Sequence, residues 1–185
     1  MINYHQYMED TIYRFSSDKI YRKIEELEKG GKVEEYKKRW LWELTQNAKD
    51  CAISDQGISI KIMVQNGTII FSHDGSPFDH NSLMDLVLQN SSKRIEYSKT
   101  GKFGTGFIST HLISKKVTIS GHYIDNNKSV RSGLNIVIDR NFSNVEELEV
   151  KLRNTIEKLN CFFSNHNTTA SCAPPYLTSF NYEFS

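Results

Sequence analysis

The dipeptide Asn66-Gly67 constrains this chain more than any other local feature. It lies between two runs rich in β-formers, residues 58–64 (ISIKIMV) and 68–72 (TIIFS). Asparagine and glycine both accept a positive φ, which a two-residue hairpin turn demands. An antiparallel pair of strands is therefore expected here. What precedes it reads as helix. In DKIYRKIEELE, Ile20, Ile24 and Leu27 recur at helical spacing with charges between them. Gly30-Gly31 ends that segment, and a second helix is expected from Lys32 to about Ile53.

After the hairpin, His73-Asp74-Gly75-Ser76-Pro77-Phe78 reads as a sharp polar turn at a strand end. A short helix is expected from Asn81 to Leu88, then a polar loop rich in Ser and Lys from Gln89 to Thr100. The glycine run from Gly101 to Phe107 leads into a helix from Ile108 to Ser114. Strands from Lys116 to Tyr123 and from Leu134 to Asp139 flank a polar turn at Asp125-Asn126-Asn127. Ser143 and Glu146 form a capping-box pattern for a helix reaching Asn160. A loop from Cys161 to Pro175 and a last strand from Tyr176 to Phe184 complete the chain. Helices and strands alternate in blocks rather than as regular βα units. This predicts an α+β two-layer sandwich: a mixed, largely antiparallel sheet with helices on one face.

At 185 residues the chain fits one domain, with residues 1–35 as a helical extension. The last strand runs to the end of the sequence, so an N-terminal part of a longer protein, with downstream domains as partners, is expected. The net charge of +1 gives no global attraction to nucleic acid or membrane. The three cysteines, Cys51, Cys161 and Cys172, are odd in number and lack ligand spacing. That argues against a disulfide framework or a zinc site and for a reducing, cytoplasmic setting. No stretch approaches the length of a membrane span, and the N-terminus lacks the apolar run of a signal peptide.

The chemistry lies in WLWELTQNAKDC. As a helix it places Glu43, Asn47 and Asp50 at i, i+4 and i+7, on one face. The flanking Trp42, Leu44, Ala48 and Cys51 are apolar and seat the helix against a sheet. Two carboxylates and a carboxamide make a poor core stripe. They suit a divalent ion, a water and a polar ligand. Such a stripe taken alone usually reads as a solvated face. The run Gly101-Lys102-Phe103-Gly104-Thr105-Gly106 adds a second feature. Its glycines let backbone N–H groups approach an anion, with Lys102 and Lys93 as extra positive charges. It is not a P-loop, since no Gly-Lys-Ser/Thr has the right spacing, and no strand precedes it as in a Rossmann turn.

In order, the chain carries ELTQNAKD, HDGSPF, SSK and GKFGTGFIST followed by KKVTIS. Together, over roughly residues 38–140, these resemble the GHKL superfamily of DNA gyrase, heat-shock chaperones, histidine kinases and mismatch-repair ATPases. The resemblance is closest to the heat-shock-chaperone and sacsin-like branch. It implies a Bergerat-type fold that binds ATP or ADP with Mg²⁺ and hydrolyses ATP slowly. By that resemblance Glu43 is the general base for the attacking water, and Asn47 ligates Mg²⁺. Asp50 lies near sugar or base. Gly101, Lys102, Phe103, Gly104, Thr105, Gly106 and Phe107 wrap the phosphates, and Lys93 belongs to a lid. ATP closes the lid and builds a homodimer in such a cycle. The client, protein or nucleic acid, is not given by the sequence.

The first glycine box departs from the family pattern. Aligning Gly75 puts His73 where the family has an adenine-reading Asp, and Pro77 where it has a second Gly. Adenine is then read by Asp74 in a shifted turn, by His73, or through a water. Phe78 packs on the base, and Thr178 stands for the family's late-strand threonine. This departure motivates an alternative: a nucleotide-binding or interaction module without significant hydrolysis. A histidine kinase is disfavoured, because residues 1–35 are too short for its dimerisation hairpin.

Overall fold

The hairpin forms where Asn66-Gly67 requires it. Strands β1 (Ile60–Gln65) and β2 (Thr68–His73) pair antiparallel from Gln65↔Thr68 to Ile60↔His73. Both turn residues have positive φ, 49° at Asn66 and 71° at Gly67. The structure is a computed structural model, and it describes residues 4–30, 33–53, 57–89, 105–164 and 170–183. Around the hairpin stand helices α1 (Tyr4–Lys29), α2 (Val33–Lys49) and α3 (His80–Leu88), and the short α4 (Thr105–Ser109) with a 3₁₀ turn at Thr110–Leu112. Strands β3 (Lys116–Ile124) and β4 (Val130–Asp139), helix α5 (Val145–Ser164) and strand β5 (Thr178–Glu183) follow.

The five strands make one open sheet in the order β1-β2-β5-β3-β4, and every pairing between them is antiparallel. The fold is thus α+β, with helices layered on one face of the sheet. The alternation of β5 shows why it sits in the centre. Thr178, Phe180 and Tyr182 point to the helix side and are buried. Phe180 lies in register between Phe71 and Ile119, and Tyr182 between Ile69 and Val117. On the opposite face Thr118, Ile70 and Asn181 are only partly buried. Each large apolar side chain taken from water on the helix side contributes roughly 1.5–3 kcal/mol.

The helices are set by what they bury. Ile20, Ile24 and Leu27 of α1 are each 1% exposed, so the second half of α1 belongs to the core. Tyr4, Tyr7 and Phe15 in its first half are exposed. Helix α3 is capped by Asp79, whose Oδ1 accepts the Ser82 N–H at 2.8 Å while Ser82 Oγ accepts the Asp79 N–H at 3.0 Å. At its other end Gln89 adopts a left-handed conformation, and its carbonyl accepts Lys19 Nζ at 2.6 Å.

Several boundaries differ from the sequence expectation. Helix α2 ends at Lys49, not Ile53, because its last turn tightens: Cys51 N–H bonds Ala48 O at 2.9 Å and Ala52 N–H bonds Lys49 O at 3.1 Å. This frees the Cys51 carbonyl to accept the Ser76 N–H at 2.7 Å, tying the helix end to the 73–78 turn. The expected helix from Ile108 to Ser114 starts earlier, at Thr105, and closes as the 3₁₀ turn. The cap of α5 is shifted by one residue. Asn144 Oδ1 accepts the Glu147 N–H, and Glu147 Oε2 accepts the Ser143 N–H, both at 2.8 Å. Asparagine caps as well as serine, so the Ser143/Glu146 spacing did not decide the start. Helix α5 also runs past Asn160, since Phe162 and Phe163 pack edge-on against Tyr123. Strand β4 begins before Leu134, at Val130, and β5 begins after Tyr176, at Thr178. Among the described residues no helix is long and apolar enough to cross a membrane.

Candidate functional site

Helix α2 is anchored by its apolar positions. Leu44 and Ala48 are buried, and Trp40 meets Tyr182 of β5 edge-on at 6.2 Å. That orientation leaves Glu43 and Asn47 beside two adjoining spaces. Glu43 and Gly106 line an open cleft of about 160 Å³ together with Lys23, Leu27, Tyr36, Arg39 and Ser109. One turn along, Asn47 and Phe107 line a small cavity with Leu44, Ala48, Cys51, His73, Phe78, Leu86 and Phe180. Glu43 and Asn47 are one helical turn apart, and Gly106 and Phe107 are consecutive. The two spaces share no lining residue and lie side by side along α2, a polar end and an apolar end.

At the polar end, α2 and α4 meet so closely that a side chain at Gly106 would collide with the Glu43 carboxylate. Only glycine fits. Two sequence motifs from opposite halves of the chain thus share one contact. Arg39, four residues before Glu43 on the same face, approaches it at 3.7 Å. The Glu43 side chain keeps 26% of its surface exposed, enough to reach a water.

At the apolar end, Phe180 is ringed by Phe71, His73, Phe78 and Phe107 with centroids 5.9–6.4 Å away. The cavity volume is about 10 Å³, room for about one water. His73 is buried, and its Nδ1 accepts the Gly75 N–H at 3.2 Å. Burial pulls its imidazole down to about 4, against an opposing pull from Asp74, so the ring is neutral at pH 7. A neutral ring that accepts at Nδ1 carries its proton on Nε2. Thr178 stands opposite His73 in register, fully buried, and its Oγ1 has no partner among the described residues.

Asp74 turns away from the cavity. Its Oδ1 accepts the Ser59 N–H at 2.8 Å, and bonding to Ser59 holds the carboxyl below the usual range. Asp50 follows the last residue of α2, is partly buried and lines neither space. Gly75 and Phe78 lie in the turn beneath the apolar end, both buried. Thr105 begins α4. Lys93, Gly101, Lys102, Phe103 and Gly104 lie outside the described residues. The structure thus places Glu43 and Gly106 on the cleft and Asn47, His73, Phe78 and Phe107 on the neighbouring cavity, with Thr178 opposite His73 in register but outside the cavity wall; Asp50 and Asp74 line neither space.

Sequence reasoning missed two residues behind the site. Arg140 is buried at the end of β4; its Nη1 donates to the Phe107 carbonyl at 3.3 Å, and its guanidinium lies 4.7 Å over the Phe107 ring. Burial lowers it to about 10, so it remains cationic at pH 7. His111 is buried too, bonds Glu28 of α1 at 3.1 Å and stacks on Phe142. These contacts hold α4 and its 3₁₀ turn from behind. A single Arg or His after an apolar run carries no signal of this. Arg39 had one, since it precedes Glu43 by four residues on a helix.

Among the described residues no cluster of three His, Cys, Asp or Glu side chains is poised for a metal. The larger groove of about 930 Å³ between α1 and the start of α5 contains none of these residues and is crossed by paired charges, Arg153 with Asp10 and Glu149. No protein-family model matches the chain, and no curated protein matches it.

Proposed function

We propose that the chain binds a nucleoside triphosphate with Mg²⁺ along α2 and hydrolyses it slowly, with ATP the ligand that the GHKL resemblance implies. The observation that carries this reading is the contact of Glu43 with Gly106. A carboxylate that can hold a water lies against the last glycine of a run suited to phosphates, and a small aromatic-walled cavity lies one helical turn along. In-line phosphoryl transfer to water asks a protein for positioning and charge neutralisation rather than covalent chemistry.

The donor set fits the ion. Mg²⁺ takes hard oxygen ligands, keeps several waters and relies on phosphate oxygens, so one carboxamide from Asn47 and no protein cage is sufficient. When bound, it supplies neutralisation of the phosphate charge. Glu43 orients the water and takes its proton, and Arg39, 3.7 Å away, helps to aim that carboxylate. Gly106 leaves the backbone open where a side chain would block the approach. Lys93 and Lys102 supply cations as the lid closes, and closure drives the dimerisation cycle. Client and downstream domains stand outside this site.

One observation favours a second reading, an interaction or nucleotide-binding module without hydrolysis. The apolar cavity of about 10 Å³ is too small for a ring until its walls move. Titration calorimetry with ATP and ADP, with and without Mg²⁺, tests the first reading, and phosphate release under the same conditions separates the two. Binding that needs Mg²⁺ together with release supports hydrolysis, and binding without release supports the module. No binding of either nucleotide at millimolar concentration ends the ATP reading.

A further inference from the structure

Among the described residues, the arginine with the least exposure is bonded to the residue that follows Gly106. We infer that Arg140 is a positioning residue for the anionic end of the ligand: its buried charge has no counter-ion in the protein, and phosphates held at the cleft of Glu43 and Gly106 balance it. The inference rests on the nucleotide reading above and adds to it a residue that acts without touching the ligand.

Arg140 is 3% exposed. Its Nη1 donates to the Phe107 carbonyl at 3.3 Å and its guanidinium lies 4.7 Å over the Phe107 ring, which fixes the backbone next to Gly106. Among the described residues no carboxylate pairs with it, and its Nη2 has no hydrogen-bond partner. The ionisable group it does feel is the Tyr182 phenol, which burial keeps protonated. Two less buried arginines differ: Arg131 pairs with Asp125 and Arg153 with Asp10, each at 2.9 Å. Glu28, the carboxylate behind α4, is taken by His111 at 3.1 Å. Burying an ion is costly unless an opposite charge offsets it, so a lone guanidinium here weakens the fold on its own account.

The charge reaches past its own contacts. After burial itself, Arg140 is the next cause that holds His111 below its ordinary value. A charge away from water acts over a longer distance than one at the surface, and salt screens it less. The cleft's own cations are in a different state. Lys23 and Arg39 line it, but Lys23 is paired with Glu26 and Arg39 with Glu43. Arg140 is therefore the cation beside the cleft whose charge the protein leaves uncompensated. A phosphate chain laid against Gly106 meets that charge through the segment Arg140 holds, so attraction and placement come from one side chain.

The test is calorimetric binding of Mg²⁺-ATP and Mg²⁺-ADP to the parent chain, Arg140→Met and Arg140→Lys, with a urea melt of each. Arg140→Met removes the charge and keeps an unbranched side chain. It is expected to weaken Mg²⁺-ATP at least about fivefold, and Mg²⁺-ADP, with one negative charge fewer, by a smaller factor. Its stability is expected to hold or rise, because an unpaired buried ion is gone. Arg140→Lys keeps the charge and is expected to retain ATP affinity within about twofold, even where its melt shows a loss, since an amine cannot span ring and carbonyl as a guanidinium does. Arg140→Gln, a neutral donor for Phe107, replaces Arg140→Met if that variant does not fold, with the same expected factors. If neither neutral variant folds, Arg140→Lys decides, and ATP affinity lowered beyond about twofold in it overturns the inference. A residue that only props α4 gives another pattern: both nucleotides weaken by one factor, in step with stability. That pattern, or unchanged ATP affinity in a folded neutral variant, overturns the inference and leaves the nucleotide reading standing. If the parent chain binds neither nucleotide, both fall together.

Discussion

The two ends of the site along α2 are made from different materials. The apolar end is built on the sheet: His73 of β2 and Thr178 and Phe180 of β5, held by ladder pairing on both sides. The polar end is built from helices alone, with Arg39 and Glu43 on α2 meeting Gly106 on α4 and Lys23 on α1. At the first, His73, Phe78, Phe107 and Phe180 are buried, with Asn47 and Cys51 of the α2 side only partly so. At the second, the charged groups keep part of their surface in water. Changes at the apolar end should therefore be felt as lost stability. Changes at the polar end should alter chemistry and leave the fold intact.

Phe180→Ala is expected to give the largest effect. Its ring touches four aromatic or imidazole rings and is 6% exposed. Truncation should cost about 3–5 kcal/mol in a urea or thermal melt. A loss under about 1 kcal/mol would mean that the apolar end is plastic, and the contrast between the two ends would collapse.

Acid comes next. His73 and His111 are both buried and both pulled down to about 4 by burial, with Arg140 adding to the effect at His111 and Glu28 opposing it. Their folded values lie below the ordinary value of 6.5. The unfolded chain therefore binds more protons between the two, and stability is fully present above about 6.5 and is lost as pH falls toward 4. Each histidine accounts for up to about 3 kcal/mol at the low end of that window. Melts from pH 7 to 4.5 measure this, and His73→Phe should flatten the slope. An unchanged slope in that variant assigns the acid sensitivity to the helical end.

Much of this contrast was legible in the sequence, but unevenly. The hairpin could be read because a two-residue turn fixes its own register, and every pair from Gln65↔Thr68 to Ile60↔His73 follows from it. The stripe of Glu43 and Asn47 could be read because helical spacing alone puts them on one face. The insertion of β5 between β2 and β3 could not, since nothing local to residues 178–183 states which strands flank it. Nor could the separation of Asp50 from the stripe. Asp50 keeps the helical bond of its N–H to Gln46 O at 3.0 Å, but the walls of both spaces come from residues far along the chain and do not reach it. Arg140 and His111 were invisible for a similar reason. Their burial comes from packing against Phe107 and Phe142, not from any pattern around them.

Glu43→Gln sets the opposite signature from Phe180→Ala. If Glu43 is the base, phosphate release should fall at least about 100-fold, equivalent to about 2.7 kcal/mol of barrier. Stability should move by less than about 0.5 kcal/mol, as expected for a partly exposed group whose ion pair with Arg39 spans 3.7 Å. Nucleotide affinity, read by calorimetry, should stay within a factor of a few. A variant that loses stability instead would make Glu43 a packing residue, and the polar end would then resemble the apolar one.

Asp74→Asn is the smallest change and the finest test of where the boundary of the apolar end lies. Asp74 adjoins His73 in sequence but points to the other side of the sheet, where it accepts the Ser59 N–H at 2.8 Å. Its lowered carboxyl value comes first from bonding to Ser59, so its contribution is present above the ordinary carboxylate range and fades as pH falls through it. The group is partly exposed, so water screens the bond. The expected loss is about 0.5–1 kcal/mol at pH 7, small because the Asn carbonyl still accepts from Ser59, and it shrinks as pH falls through the lowered carboxyl value. ATP affinity should not move, whereas substitution of His73, which lines the apolar cavity, should change it. A lowered ATP affinity in Asp74→Asn would transfer base recognition from His73 to its neighbour and redraw the site one residue along the turn.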